Sequence, residues 1–346
     1  MIRVFSIEDF RQASGLILDV RSPAEFALGH IPGALNFPLF SDEERAEIGI
    51  CFKKKGKEEA IQIGFDIIGP RLGEMVRWAK AVSPEKAVRI HCWRGGMRSR
   101  SVAWLLETSG MPVAVLEGGY KSYRRWVREV VEFPRRINIL GGLTGTGKTR
   151  ILKALKASGN QTLDLEGLAN NRGSSFGGLG MPPQPATQQF ENLIAEELVL
   201  TDFSKPVWIE AESLRIGNCI IPEALFRQTK SAAAFEITRP IEIRLDILTE
   251  MYGQSDPADL IEATRRIAKR LGGLRTKAAI ELINKNDFRE ACRLILDYYD
   301  RSYAEYSINR SLSIPQVDVG ELSAANAAAL LIEKTRNTAN DSAKSV

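Results

Sequence analysis

Residues 137–149 read Ile137-Asn138-Ile139-Leu140-Gly141-Gly142-Leu143-Thr144-Gly145-Thr146-Gly147-Lys148-Thr149. Ile137 to Leu140 is a short apolar run and predicts a buried strand. Gly142 to Thr149 then matches Gly-x4-Gly-Lys-Thr, the phosphate-binding loop pattern. The pattern carries weight only where a strand leads in and a helix leads out, and both are expected here. Backbone N–H groups of such a loop wrap a diphosphate, Lys148 neutralises it, and Thr149 is placed to hold a magnesium ion. The candidate phosphate-binding residues are Gly142, Gly145, Thr146, Gly147, Lys148 and Thr149. Downstream, Val207-Trp208-Ile209-Glu210 reads as another apolar strand. An acid near the metal often ends such a strand, so Glu210 joins Thr149 as a candidate magnesium ligand. Glu212 competes for that role, and a solvated strand end is the plain alternative for either.

Upstream of the loop, 121–136 is basic: Lys121, Arg124, Arg125, Arg128, Arg135 and Arg136 stand against Glu129 and Glu132. It reads as a helical connector stopped near Pro134. Before it, Leu16 to Val20, Ala87 to His91 and Pro112 to Leu116 are apolar runs that predict buried strands. Ser22, Pro23 and Glu25 form a helix start, with a serine cap, a first-turn proline and a glutamate three residues after the cap. Met97 to Ser109 predicts a helix. Strands alternating with helices argue for a parallel α/β sheet. After about residue 240 the pattern turns helical, and from about Ala339 it becomes a polar tail.

The segment His91-Cys92-Trp93-Arg94-Gly95-Gly96-Met97-Arg98-Ser99 places a cysteine between a strand and a helix. Loop N–H groups at a helix N-terminus favour negative charge. Arg94 and Arg98 add positive field. Together they should lower the pKa of Cys92 and hold a nucleophilic thiolate. The alternative, a buried structural cysteine, is the better reading of Cys51, Cys219 and Cys292. His91 precedes Cys92 on a strand, so its side chain should point to the opposite face and play a structural part.

Asp19-Val20-Arg21, Glu25, Gly29-His30-Ile31-Pro32-Gly33-Ala34, Asn36, Pro38, the cysteine loop and Glu117-Gly118-Gly119 together resemble a rhodanese domain over about residues 2–130. One departure matters. The usual sulfurtransferase loop is one residue shorter between cysteine and arginine. The Cys-x5-Arg spacing here resembles cysteine phosphatases, including those on the rhodanese fold. Such a loop can cradle a tetrahedral phosphate or its sulfur or selenium analogue.

A further stretch runs Asp164-Leu165-Glu166-Gly167-Leu168-Ala169-Asn170-Asn171-Arg172-Gly173-Ser174-Ser175-Phe176-Gly177. It is rich in glycine and hydroxyl groups and is expected to be a mobile substrate loop. With Gln184-Pro185, Phe190-Glu191-Asn192, Trp208 to Ser213 and Arg215-Ile216-Gly217, it is similar to the bacterial tRNA 2-selenouridine synthases. That resemblance spans about residues 1–330. Asn171 stands where some members are expected to carry histidine. Asp164, Glu166, Arg172, Glu210 and Arg215 are candidate second-site residues on this basis.

The resemblance implies an α/β chain: a rhodanese-like domain (1–130), the connector (121–136), and a P-loop NTPase-like parallel α/β domain with a helical C-terminal part (137–338), before the tail (339–346). It implies an enzyme acting on wobble 2-thiouridine of tRNA, replacing sulfur by selenium with selenophosphate as donor. It also implies geranyl transfer from geranyl diphosphate to the sulfur first, since alkylation turns a poor leaving group into a better one. Cys92 is the implied active-site residue; we further expect Arg94 and Arg98 to hold the phosphate of selenophosphate. A selenophosphate supply enzyme is a candidate partner. Magnesium and ATP stay open for the phosphate loop. Two other classes stay in view: a sulfurtransferase or phosphatase fused to an NTPase, and a nucleotide-gated RNA-binding module.

Composition is consistent with this. At about 150 residues per domain, 346 residues suggest two domains. With 44% hydrophobic and 26% charged residues, a disordered chain or a fibre is excluded. No apolar run approaches the ~18 residues of a membrane span, and no secretory leader is expected. Four scattered cysteines and two histidines offer neither a disulfide framework nor a usual zinc site, so a reducing cytoplasm is expected. The net charge of +4 sits in residues 1–130, with 20 Lys+Arg against 16 Asp+Glu; the remainder balances at 27 and 27. Arg265, Arg266, Lys269, Arg270, Arg275 and Lys277 suggest a basic stripe near helical spacing, for tRNA, phosphate or solvent.

Overall fold

Five short parallel strands make the first sheet: β1 (Arg3–Phe5), β2 (Leu16–Asp19), β3 (Leu35–Asn36), β4 (Val88–His91) and β5 (Val113–Leu116), in the order β1-β5-β4-β2-β3. They belong to a computed structural model that describes residues 2–83, 87–308 and 314–344. The chain divides into two units, Met1–Val131 with Ala186–Glu196, and Glu132–Pro185 with Glu197–Val346. β5 is buried at every position, because helices cover both faces of a parallel sheet. Leu18, Ile90, Val102, Leu106, Met111 and Val115 form its core.

The helix after β5 spans Gly119–Glu132. Tyr120, Tyr123, Trp126, Val127 and Val131 bury one face of it at helical spacing. The basic segment is helical to Glu132, as expected, and up to Val131 it packs within the first unit. Its polar groups also bind the excursion at 186–196. Asn192 Nδ2 donates to Tyr120 Oη at 2.8 Å, Tyr123 Oη donates to Glu196 at 3.1 Å, and Arg124 pairs with Glu191.

The second unit holds β6 (Ile137–Gly142), β7 (Gln161–Leu163), β8 (Val207–Glu210), the antiparallel pair β9 (Arg215–Ile216) and β10 (Cys219–Ile220), β11 (Ala233–Thr238) and β12 (Gln316–Asp318). Its main sheet runs β12-β11-β6-β8-β7 with every neighbour parallel. β6 is central, and the chain leaves it towards both edges. The crevice at the carboxyl end of such a strand is where open α/β sheets bind ligands. The helical part after residue 240 has its own core, including Leu245, Leu248, Tyr252, Leu260, Phe288 and Leu296. β12 follows that region and returns to the sheet, which the helical reading did not anticipate.

The last helix spans Ala324–Lys344, so the expected tail is helical in its backbone to Lys344; residues 345–346 lie outside the described residues. Among the described residues, no helix is long and apolar enough to cross a membrane.

Candidate active sites

In the first unit, Cys92 follows β4 and the helix Met97–Thr108 begins after Gly96. Two glycines shape the loop between them. Gly95 has φ 64°, and a Cβ there would meet the Leu116 carbonyl oxygen at 2.8 Å. A Cβ on Gly119 would lie 2.4 Å from both the Cys92 oxygen and the Gly95 nitrogen. The Gly118-Gly119 turn thus packs directly on the cysteine loop. Tyr120 and Lys121 donate their N–H groups to the carbonyls of Cys92 (2.8 Å) and Trp93 (2.9 Å), committing those carbonyls to the helix.

Cys92 is 3% exposed, and its Sγ lies 3.2 Å from Ser99 Oγ. Burial pushes the thiol up. The Ser99 hydroxyl and N–H, the Arg94 N–H and the Arg98 charge outweigh it, so the thiol sits below its ordinary value. Arg94 contributes through its backbone N–H, while its side chain is exposed. Arg98 donates to Glu25 at 2.6 Å. Glu25 also accepts the Ser22 N–H at 3.1 Å, closing the cap of the helix Pro23–Leu28. Ser99 is the residue that sequence reasoning passes over; its only signal was its place immediately after Arg98.

His91 is fully buried on the other side of the strand, 3.7 Å from Asp19 and packed against the rings of Phe10 and Tyr120. Burial pushes it down to about 4, against the pull of Asp19, so it is neutral at pH 7.

In the second unit, Gly145 (φ 83°) and Gly147 (φ 85°) take left-handed backbone that other residues avoid, and the loop curls over the end of β6. Lys148 Nζ donates to the Gly142 carbonyl at 2.9 Å. Thr146 is 1% exposed and its hydroxyl donates to the Leu143 carbonyl at 2.8 Å, so its side chain braces the loop. Arg244 Nε donates to the Thr144 carbonyl at 2.9 Å, and Asp300 holds the same guanidinium at 2.9 and 2.6 Å.

Thr149 Oγ1 donates to Glu166 at 3.2 Å. Glu166, Glu210 and Glu212 each bring an oxygen within 4.8 Å of the others. Glu210 and Glu212, the two acids weighed from the sequence, thus lie in one cluster. Both oxygens of Glu210 are buried without a hydrogen-bond partner. Burial is the largest cause that pushes all three carboxyls up, the Glu166 charge adds to it for Glu210 and Glu212, and Lys148 opposes it. Glu210 rises to about 8. Buried carboxylates cannot all stay ionised this close together unless a cation joins them. Three carboxylates and a hydroxyl suit a hard divalent ion.

The same place opens into a cavity of about 460 Å³. Its lining joins Gly145, Gly147, Lys148 and Thr149 to Phe176, Leu248, Tyr252, Phe288, Leu296 and Tyr299. Arg172 also lines it, with Nη1 on the Leu179 carbonyl at 2.9 Å and its guanidinium 5.5 Å from the Tyr252 ring.

Other candidates fall elsewhere. Asp164 caps the short helix Leu165–Leu168 by accepting the Gly167 N–H at 2.7 Å. Arg215 is exposed on β9 and does not line the cavity. Asn171 is buried, and its Oδ1 accepts the Gly173 N–H at 3.0 Å, which makes it a brace of its loop. The loop expected to be mobile makes several contacts here. Phe176 enters the helical core, and Ser175 donates to the Ala263 carbonyl at 2.9 Å. The basic stripe is broken across three helices, Pro257–Arg266, Ala268–Leu271 and Gly273–Asn284, with one break at Ile267 and the other at Gly272, which turns the chain at φ 91°.

Two family models match the chain: a rhodanese-like domain over residues 7–125 and the tRNA 2-selenouridine synthase AAA domain over residues 135–321. The chain is 34% identical to the tRNA 2-selenouridine synthase of Sulfurovum sp., covering 86% of this chain and 90% of that one. It is 34% identical to the one of Marinobacter nauticus, covering 83% and 87%. Both matches run through the cysteine loop and the phosphate loop together, and on that ground this chain belongs to the tRNA 2-selenouridine synthase family of enzymes.

Proposed function

We propose that this enzyme converts wobble 2-thiouridine in tRNA to 2-selenouridine in the cytoplasm, with selenophosphate as selenium donor and S-geranylation from geranyl diphosphate as the first step. The observation that carries this reading is the cavity of the second unit. A phosphate loop and an apolar wall share one space there. A diphosphate on Lys148 and the loop N–H groups would leave an attached hydrocarbon chain against Leu248, Tyr252, Phe288 and Leu296. Geranyl diphosphate has that shape and already carries its leaving group, so the step needs no ATP hydrolysis. The nucleoside sulfur bonds to C1 of the geranyl chain, the C1–O bond breaks onto the diphosphate, and the N3 proton is released.

A divalent cation such as magnesium, held by Thr149, Glu166, Glu210 and Glu212, would offset charge on the departing diphosphate. Lys148 contributes fixed positive charge beside it. In the first unit, Cys92 guides the selenium of the donor, with Arg94 and Arg98 on the phosphate of selenophosphate. A selenophosphate supply enzyme is the natural upstream partner, because the donor must reach this loop before water consumes it.

The test uses two variants of the full chain and mass spectrometry of tRNA nucleosides. Cys92→Ala should lose selenation and keep geranylation. Lys148→Ala should lose geranylation. Equal loss of both steps in both variants would overturn the division of labour. Binding of ATP but not of geranyl diphosphate would favour the fused-NTPase reading.

A further inference from the structure

Selenium in selenophosphate is already fully reduced. If Cys92 took it up as a sulfur–selenium bond, either an oxidant would be needed or phosphorus would have to leave with an electron pair, as phosphorus(III). Thiosulfate donates its outer sulfur to a cysteine because sulfite leaves well with such a pair. Selenophosphate offers no comparable leaving group. Attack at phosphorus has no such difficulty.

We propose that Cys92 attacks the phosphorus of selenophosphate, so that the loop works as a phosphatase-type site that releases hydrogen selenide. This rests on the reading that selenophosphate is the donor. The Cys92 thiolate forms an S–P bond, and the P–Se bond breaks with its pair on selenium, which leaves as HSe⁻. Water then attacks the S-phosphocysteine; the S–P bond breaks with its pair on sulfur, and both water protons stay on the phosphate. No oxidation state changes. HSe⁻ is a weak base and leaves without a general acid. It is also the nucleophile that the geranylated nucleoside needs.

Three observations support phosphorus as the target. The spacing from Cys92 to Arg98 resembles that of cysteine phosphatases, and Glu25 holds Arg98 in place at 2.6 Å. A guanidinium has five donors, so others remain for phosphate oxygens. The Ser99 hydroxyl lies 3.2 Å from Cys92 Sγ and 3.1 Å from the Gly96 carbonyl. It has one proton for two acceptors. It donates to Gly96 while the sulfur is a thiol or is phosphorylated, and swings to the sulfur when a thiolate forms. That matters most when sulfur is the leaving group, as it is in phosphocysteine hydrolysis.

The experiment incubates the full chain with ³²P-labelled selenophosphate, without tRNA, and separately assays tRNA selenation with the same preparation. Wild type should release phosphate and selenide in equal amounts above the enzyme-free rate, and Cys92→Ser should add nothing to that rate. Ser99→Ala should slow phosphate release roughly ten- to hundredfold, the worth of one charge-assisted hydrogen bond, and accumulate ³²P on Cys92. Ser99→Thr should restore turnover. Phosphate and selenium adducts are nearly equal in mass, so the label and the selenium isotope envelope must tell them apart. A selenium envelope on Cys92 without ³²P, while tRNA is still selenated, overturns the proposal and leaves the donor reading intact. Failure to selenate tRNA from selenophosphate overturns the donor reading itself.

Discussion

Glu210 gives a prediction whose magnitude can be worked from the structure. Its carboxyl is 2% exposed, lacks a hydrogen-bond partner and is raised from 4.5 to about 8, first by burial and then by Glu166. A carboxyl with a folded pKa above its unfolded one binds more protons folded than unfolded. Its effect on stability is therefore a loss as pH rises from about 4.5 to about 8, complete above that. That interval converts to a ceiling of about 5 kcal/mol. Relaxation and water entry should reduce the measured loss to about 2–4 kcal/mol in the cation-free protein. The assay is thermal and urea unfolding from pH 5 to 8.5 in chelator, then with excess magnesium. Wild type should lose stability with rising pH in chelator and regain it with magnesium. Glu210→Gln removes the charge at constant shape; it should at least halve the slope, be more stable than wild type at pH 8.5 in chelator, and lose most of the magnesium rescue. A chelated wild type equally stable at pH 5 and 8.5, or a Glu210→Gln protein weaker than wild type at pH 8.5, would refute the reasoning.

Other substitutions probe the rest of the machinery. Met251 is half-buried in the cavity wall, so Met251→Glu should weaken geranyl diphosphate at least tenfold while inorganic diphosphate binds as before, by calorimetry. Gly119→Ala would put a methyl 2.4 Å from the Cys92 carbonyl; it should cost about 2 kcal/mol or more and slow iodoacetamide labelling of Cys92. Asp300→Ala strands the buried Arg244 that braces Thr144, and should cost about 3 kcal/mol in urea unfolding and weaken diphosphate binding too.

The legible parts of this protein are the local ones. A strand running into Gly-x4-Gly-Lys-Thr and a strand running into Cys-x5-Arg are each short stretches in which chain geometry and chemistry coincide. The capped helix at Ser22 is legible for the same reason. Reading was weakest where distant segments meet. β11 opens with two alanines and β12 has three residues, so neither shows a strong period, and sheet pairing, of β11 with β6 and of β12 with β11, decides them. The segment 186–196 joins the first unit through Asn192, Glu191 and Glu196, whose partners lie far back in the chain.

The sequence by itself determined the phosphate loop and the cysteine loop, because each needs only its own backbone and a helix start. Only the tertiary structure decided what surrounds them. It brought Glu166 to Glu210 and Glu212, set an apolar wall from the C-terminal helices beside Lys148, and packed Gly119 against the loop of Cys92. Those are contacts across long separations, fixed by burial and packing, and no local pattern in the chain encodes them.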